Sequence, residues 1–182
     1  EENIIIGNVA FYGATAGVSV VQLYADAFAH LSAADKRLAW HLYEAALTGR
    51  DIYLDQRYEH GLLMRDVLEA LLAGRDAIEA TVADAIERYT KLFWINSGPY
   101  DHITSRKFVL EIDEAQLLAA ILGVRGAGRE VPLGPHASPE AFVAAHARDF
   151  LDDTYRPMVT SKTPAPGEDI LAASANNLYK GV

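Results

Sequence analysis

The chain has 182 residues, enough for one domain with a sizeable core, and no Cys, which excludes disulfides, thiolate metal sites, iron–sulfur clusters and a Cys nucleophile. Its 16 basic and 25 acidic residues give a net charge of −9, which argues against nucleic acid and anionic membrane surfaces as partners. A hydrophobic content of 51% argues against disorder.

Residues 4–12 read as a short strand, and Gly13 to Gly17 as a turn. From Ser19 the period changes: Val21, Leu23, Tyr24, Ala27, Phe28 and Leu31 recur at three and four, which predicts an amphipathic helix. Ser32 with Asp35 three residues on is a capping-box-like start for a helix that Gly49 stops. A short helical or irregular piece covers 51–58, and a helix over about 60–73 ends at Gly74. The longest helix is predicted over about 76–97, with Ile78, Val82, Ile86, Tyr89, Leu92, Phe93 and Ile95 inward, and Gly98-Pro99 terminating it. Residues 99–111 read as a loop with an extended piece at 107–111. Asp113 caps a helix predicted to end at Gly123, and the glycines of 123–134 read as a mobile loop. Ser138-Pro139-Glu140 combines a cap, Pro at the first position and an acid in the first turn, and starts a helix that ends near Asp153. A loop over 160–168 and a short helix over 169–175 follow. The fold class is therefore mainly α, an irregular multi-helix domain with long loops and a short N-terminal extended segment.

None of the six His is followed by Glu, so no His-Glu-x-x-His zinc helix is present, and no Gly-x-Ser-x-Gly elbow exists. His146 and Asp149 stand three apart on a helix but lack a third ligand by spacing, and read as a solvated face. Asp51, Asp55 and Asp66 lack the calcium-loop pattern. Tyr89, Phe93 and Trp94 read as core. The segment 94–102 places polar and aromatic groups at a helix C-terminus and its loop, either as a binding loop or as a capping turn.

Three blocks carry a resemblance. Residues 42–56 read Leu-Tyr-Glu-Ala-Ala-Leu-Thr-Gly-Arg-Asp-Ile-Tyr-Leu-Asp-Gln. Residues 93–102 read Phe-Trp-Ile-Asn-Ser-Gly-Pro-Tyr-Asp-His, followed by Lys107-Phe108. Residues 167–182 read Gly-Glu-Asp-Ile-Leu-Ala-Ala-Ser-Ala-Asn-Asn-Leu-Tyr-Lys-Gly-Val, preceded by Thr163-Pro164. In this order they resemble the N-terminal portion of the dipeptidyl-peptidase III family of zinc metallopeptidases, in its bacterial-type branch, over about residues 19–182. Members of that family are two-lobed and remove dipeptides from oligopeptide N-termini. Their zinc sits on a His-Glu-x-x-x-His helix and a later Glu-Glu helix in the other lobe, motifs absent from this sequence.

The resemblance implies a substrate-cleft-side part of such an enzyme, inactive alone, with no catalytic residue and no metal or cofactor of its own. Zinc belongs to the full-length enzyme. The implied partners are an oligopeptide substrate and the C-terminal catalytic lobe; the acidic charge speaks against nucleic acid and membrane, and residues 4–21 read as neither a signal peptide nor a membrane span, so the expected location is cytoplasmic. Carried over by position, Asn96, Tyr100, His102 and Ile103 are the expected substrate-binding residues: Asn96 and His102 toward peptide backbone, Ile103 toward a side chain. Asn176 and Asn177 match a polar turn without an assigned role. Residues 1–18 depart from the family as an N-terminal extension. Their Ile-Ile-Ile-Gly-Asn-Val-Ala-Phe-Tyr-Gly-Ala-Thr-Ala-Gly run is similar to a Gly-rich turn of the β-helix domain in glutamate synthase. A start at Glu1 and a stop at Val182 read as the ends of a fragment. The alternatives are a non-enzymatic helical peptide- or protein-binding module and a small enzyme with an unrecognised site.

Overall fold

The computed structural model describes residues 9–15 and 18–158. The chain divides into two compact units, Glu1–Arg50 and Asp51–Val182. The expected loop over 160–168, the helix over 169–175 and Asn176 and Asn177 lie outside the described residues.

In the first unit, strands β1 (Val9–Thr15) and β2 (Val18–Leu23) pair antiparallel, from Val9 opposite Leu23 to Thr15 opposite Val18, with a register shift between Phe11 and Gly13. The helix predicted from Ser19 is therefore corrected: residues 18–23 are a strand. Val18, Val20 and Val21 are β-branched and lose side-chain freedom in a helix, and the partner strand ends at Thr15, close by in sequence. Helical character begins only in a 3₁₀ turn, Asp26–His30. Helix α1 (Ala33–Thr48) starts at the predicted cap, where Ser32 Oγ accepts from Asp35 N–H at 3.2 Å and donates to the Asp35 carboxylate at 2.7 Å. Its apolar residues Leu38, Trp40, Leu42, Tyr43 and Leu47 are all exposed, Trp40 at 56%.

Helix α2 (Arg50–Arg57) begins at the boundary between the units, and α3 (Gly61–Ala73), α4 (Ala80–Asn96), α5 (Glu114–Gly126) and α6 (Pro139–Leu151) build the second unit. The fold is mainly α, as the periodicity predicts. Helix α3 packs on α4, α5 packs on α6, and α5 also touches α3 and α4. The core is Val67, Leu68 and Leu71 from α3, Ile86, Tyr89 and Phe93 from α4, Leu117, Ile121 and Val124 from α5, and Phe142 and Phe150 from α6. Each large side chain buried there contributes about 1.5–3 kcal/mol.

Three boundaries differ from expectation. Arg75–Ala77 is a separate 3₁₀ turn, Ile78 is extended, and α4 starts at Ala80, capped by the Glu79 carboxylate accepting from Thr81 N–H and Val82 N–H at 3.1 Å each. Helix α5, opened by an Asp113–Gln116 capping box, runs through Gly123 to Gly126. Gly123 is not a stop signal: a Cβ there would lie 2.5 Å from the Ala77 carbonyl oxygen, so glycine lets α5 approach the turn before α4. On α4, Trp94 and Ile95 are exposed rather than core, and Trp94 Nε1 donates to Glu69 at 2.9 Å. Helix α6 opens as read, with Ser138 Oγ accepting from Ala141 N–H at 3.2 Å. Among the described residues, no helix is long and apolar enough to cross a membrane.

Candidate functional site

The loop behind α4 is closed by its own hydrogen bonds. Ser97 is left-handed at φ 50° and Gly98 lies at φ 136°, and Gly98 N–H donates back to the Phe93 carbonyl at 3.0 Å. Asn96 Nδ2 donates to the Leu92 carbonyl at 2.9 Å. Its Oδ1 accepts from His102 N–H at 3.1 Å and lies 2.7 Å from His102 Nδ1. The Asp101 carboxylate accepts from Thr104 N–H at 2.7 Å, and from Thr104 Oγ1 and Ile103 N–H at 3.0 Å each. These bonds, those of Thr104 first, hold it below the usual carboxylate range. Across the base, Asp101 N–H donates to the Arg106 carbonyl at 2.9 Å, and Tyr100 and Lys107 form an antiparallel bridge. The loop presents Ile103, at 81% exposure, and His102.

The other two expected contact residues face inward. Asn96 is buried, with both amide atoms holding the loop. Tyr100 is fully buried, edge-on to Tyr58 at 5.8 Å, and its hydroxyl donates to the Arg156 carbonyl at 2.5 Å. Both shape the loop from inside the fold and present no side chain to solvent.

A second group of polar residues was not predicted. Helix α6 places His146 and Asp149 on the same buried stripe as Phe142, Val143, Ala147 and Phe150. The reading of this pair as a solvated face is corrected, since His146 is 7% and Asp149 1% exposed. A buried carboxylate needs hydrogen-bond donors, and Asp149 has two. Tyr58 OH donates to Oδ1, and His146 Nδ1 lies 2.8 Å from Oδ2. Burial, and then the bond to Asp149, pushes the Tyr58 phenol far above its ordinary range. His60, at the start of α3, meets the His146 ring edge-on at 4.7 Å. Burial pushes the His60 imidazole below its usual value, with the Asp149 charge opposing. His136, in the turn before α6, has its Nε2 3.0 Å from His146 Nε2.

Lys107 completes the group. Its ammonium donates to the carbonyls of Arg148 at 3.2 Å and of Asp152 and Tyr155 at 2.9 Å each, and lies 5.6 Å from the Tyr58 ring centre. Burial pushes it down to about 8, against the pull of Asp149 and Asp152. His60, His146 and Asp149 could hold a metal ion, as one ligand atom from each lies within 4.8 Å of the others. The signal that could have found part of this group is the spacing of 142, 143, 146, 147 and 150, which puts His146 on the apolar stripe. The Asp51, Asp55 and Asp66 set is accounted for in part by Arg65, which bonds Asp51 and reaches Asp66 at 2.9 Å.

Next to this group, the buried Tyr89 hydroxyl has no hydrogen-bond partner among the described residues. Leaving such a group unmatched costs about 1–3 kcal/mol. Tyr89→Phe is therefore expected to leave stability unchanged or raise it by about 1 kcal/mol in urea unfolding. A loss above that size would show that the hydroxyl holds a partner such as a bound water.

No protein-family model matches this sequence, and no curated protein matches it.

Proposed function

We propose that this chain is the N-terminal, substrate-side part of a dipeptidyl-peptidase-III-like zinc peptidase that removes dipeptides from oligopeptide N-termini. The reading rests on the three sequence blocks in family order. The observation that carries it is the geometry of the second block, a loop fixed from within by Asn96 and Asp101 that leaves Ile103 and the outer edge of the His102 ring exposed where a peptide could meet them. Asn96 and Tyr100 then act as positioning residues. A second lobe would carry the catalytic zinc, since none of the six His here is followed by Glu and the family's ligand helix has no counterpart in this sequence. The exposed apolar residues of α1 are in keeping with a surface that another part of the protein covers.

The test has two parts. The 182-residue chain, with and without added zinc, is expected to release nothing from a dipeptidyl chromogenic substrate. Zinc-dependent release would overturn the reading. In the full enzyme, His102→Ala and Ile103→Ala are each expected to raise KM about ten-fold with kcat little changed, the signature of lost uniform binding. An unchanged KM in both variants would remove the loop from the cleft.

A further inference from the structure

The polar group around α6 contains more imidazole than its own hydrogen bonds need. His146 has a clear partner in Asp149, at 2.8 Å from Nδ1. His60 makes ring contacts with Tyr58 and His146, and neither of its ring nitrogens makes a hydrogen bond among the described residues. His136 and His146 meet through their two Nε2 atoms at 3.0 Å. In the absence of an ion, that contact forces one ring to donate and the other to accept. Two imidazoles, His60 and His146, thus gather with one buried carboxylate, and His136 meets His146 at its other ring nitrogen.

We propose that His60, His146 and Asp149 bind one divalent transition-metal ion of the zinc class. The donor set is nitrogen and oxygen, which suits zinc. In a tetrahedral zinc site, ligand atoms stand about 3.3 Å apart, given bonds of about 2.0–2.1 Å. The His146 Nδ1–Asp149 Oδ2 contact at 2.8 Å is already near that spacing, and one ligand atom from each of His60, His146 and Asp149 lies within 4.8 Å of the others. His136 Nε2, at 3.0 Å from His146 Nε2, can accept from that nitrogen and so hold the ring with Nδ1 toward the ion. His60 is half-buried, which leaves its side of the group within reach of solvent. Such an ion would tie the start of α3 to α6. This site is separate from the zinc implied for a second lobe and does not rest on the peptidase reading.

The test is a titration of the metal-free 182-residue chain with Zn²⁺ and with Co²⁺ as a spectroscopic probe. The expected result is one saturable equivalent, a visible Co²⁺ band of tetrahedral strength, and a thermal midpoint raised by Zn²⁺ and restored by a chelator. His60→Asn, at a half-buried position where the fold should survive, is expected to weaken binding at least about ten-fold and change the Co²⁺ band. His146→Gln should abolish both, and circular dichroism checks its folding. Replacing the exposed His102 with Asn should change neither. The proposal is overturned if the chain shows no saturable equivalent, or if binding survives His60→Asn unchanged. None of these readouts is dipeptidyl-peptidase activity, so failure of this site and failure of the peptidase reading are distinguishable.

Discussion

Asp149→Ala, measured in the presence of a chelator, is expected to destabilise the second unit by about 3–5 kcal/mol, which for a domain of this size is a large share of its total stability. The cost follows from what the carboxylate holds. Asp149 is 1% exposed, accepts from Tyr58 OH and bonds His146 Nδ1. Its negative charge also lies near the Lys107 ammonium. Removing it leaves a buried phenol, a buried imidazole and a buried cation without their common partner, and burial makes each omission expensive. Asp149→Asn should cost less, because the amide oxygen still accepts one of the two bonds while its NH₂ opposes the other donor. Tyr58→Phe should cost least, about 1–2 kcal/mol, as it removes a donor and leaves an acceptor that His146 still partly satisfies. Urea unfolding of the three variants reads this order directly. An Asp149→Ala loss below 1 kcal/mol would mean that water replaces the carboxylate, and the account of Asp149 as the common partner of Tyr58, His146 and Lys107 would fail.

Much of the fold was legible because its signals are local. Ser32 and Ser138 cap their helices with the bonds their spacing predicts, since a cap needs only residues three apart. The strand at Val18–Leu23 was not legible: its apolar spacing suits a helix, and the hairpin partner that decides the matter is set by tertiary pairing. Gly123 was misread for a related reason. A glycine ends a helix when nothing lies beside it, whereas here the Ala77 carbonyl does, and that contact lies far off in sequence. The candidate site divides the same way. The bonds within the 96–107 loop are local, yet nothing in the spacing says that Tyr100 turns inward while Ile103 turns out. The α6 stripe was visible, but His60, His136, Tyr58 and Lys107 join it only through packing.

The second large effect is expected at Lys107, and it depends on pH. Its ammonium is the donor for three backbone carbonyls at the end of α6 and the turn beyond, those of Arg148, Asp152 and Tyr155. Two of these keep a longer backbone donor, as Asp152 N–H reaches Arg148 O and Tyr155 N–H reaches Asp152 O at 3.3 Å each. Lys107→Met should therefore cost about 2 kcal/mol at pH 7, less than three fully orphaned acceptors would.

The pH dependence sets this apart from simple loss of packing. Burial lowers the folded-state value of Lys107 from 10.5 to about 8, so between those values the unfolded chain holds the extra proton. Stability is then greater above that window and falls as pH drops through it. Wild type should gain about 2 kcal/mol relative to Lys107→Met between pH 8 and 10. Tyr58 and Tyr89 act in the opposite sense higher up. Their folded values are raised from 10.0, so their contribution is intact below pH 10 and is lost above it. Wild-type stability should thus climb from pH 8 to a maximum near 10 and then decline, while Lys107→Met shows only the decline. Equal pH profiles for the two proteins would mean that the three carbonyls, with Asp149 and Asp152, hold Lys107 charged throughout, and the buried amine would then be a permanent cation.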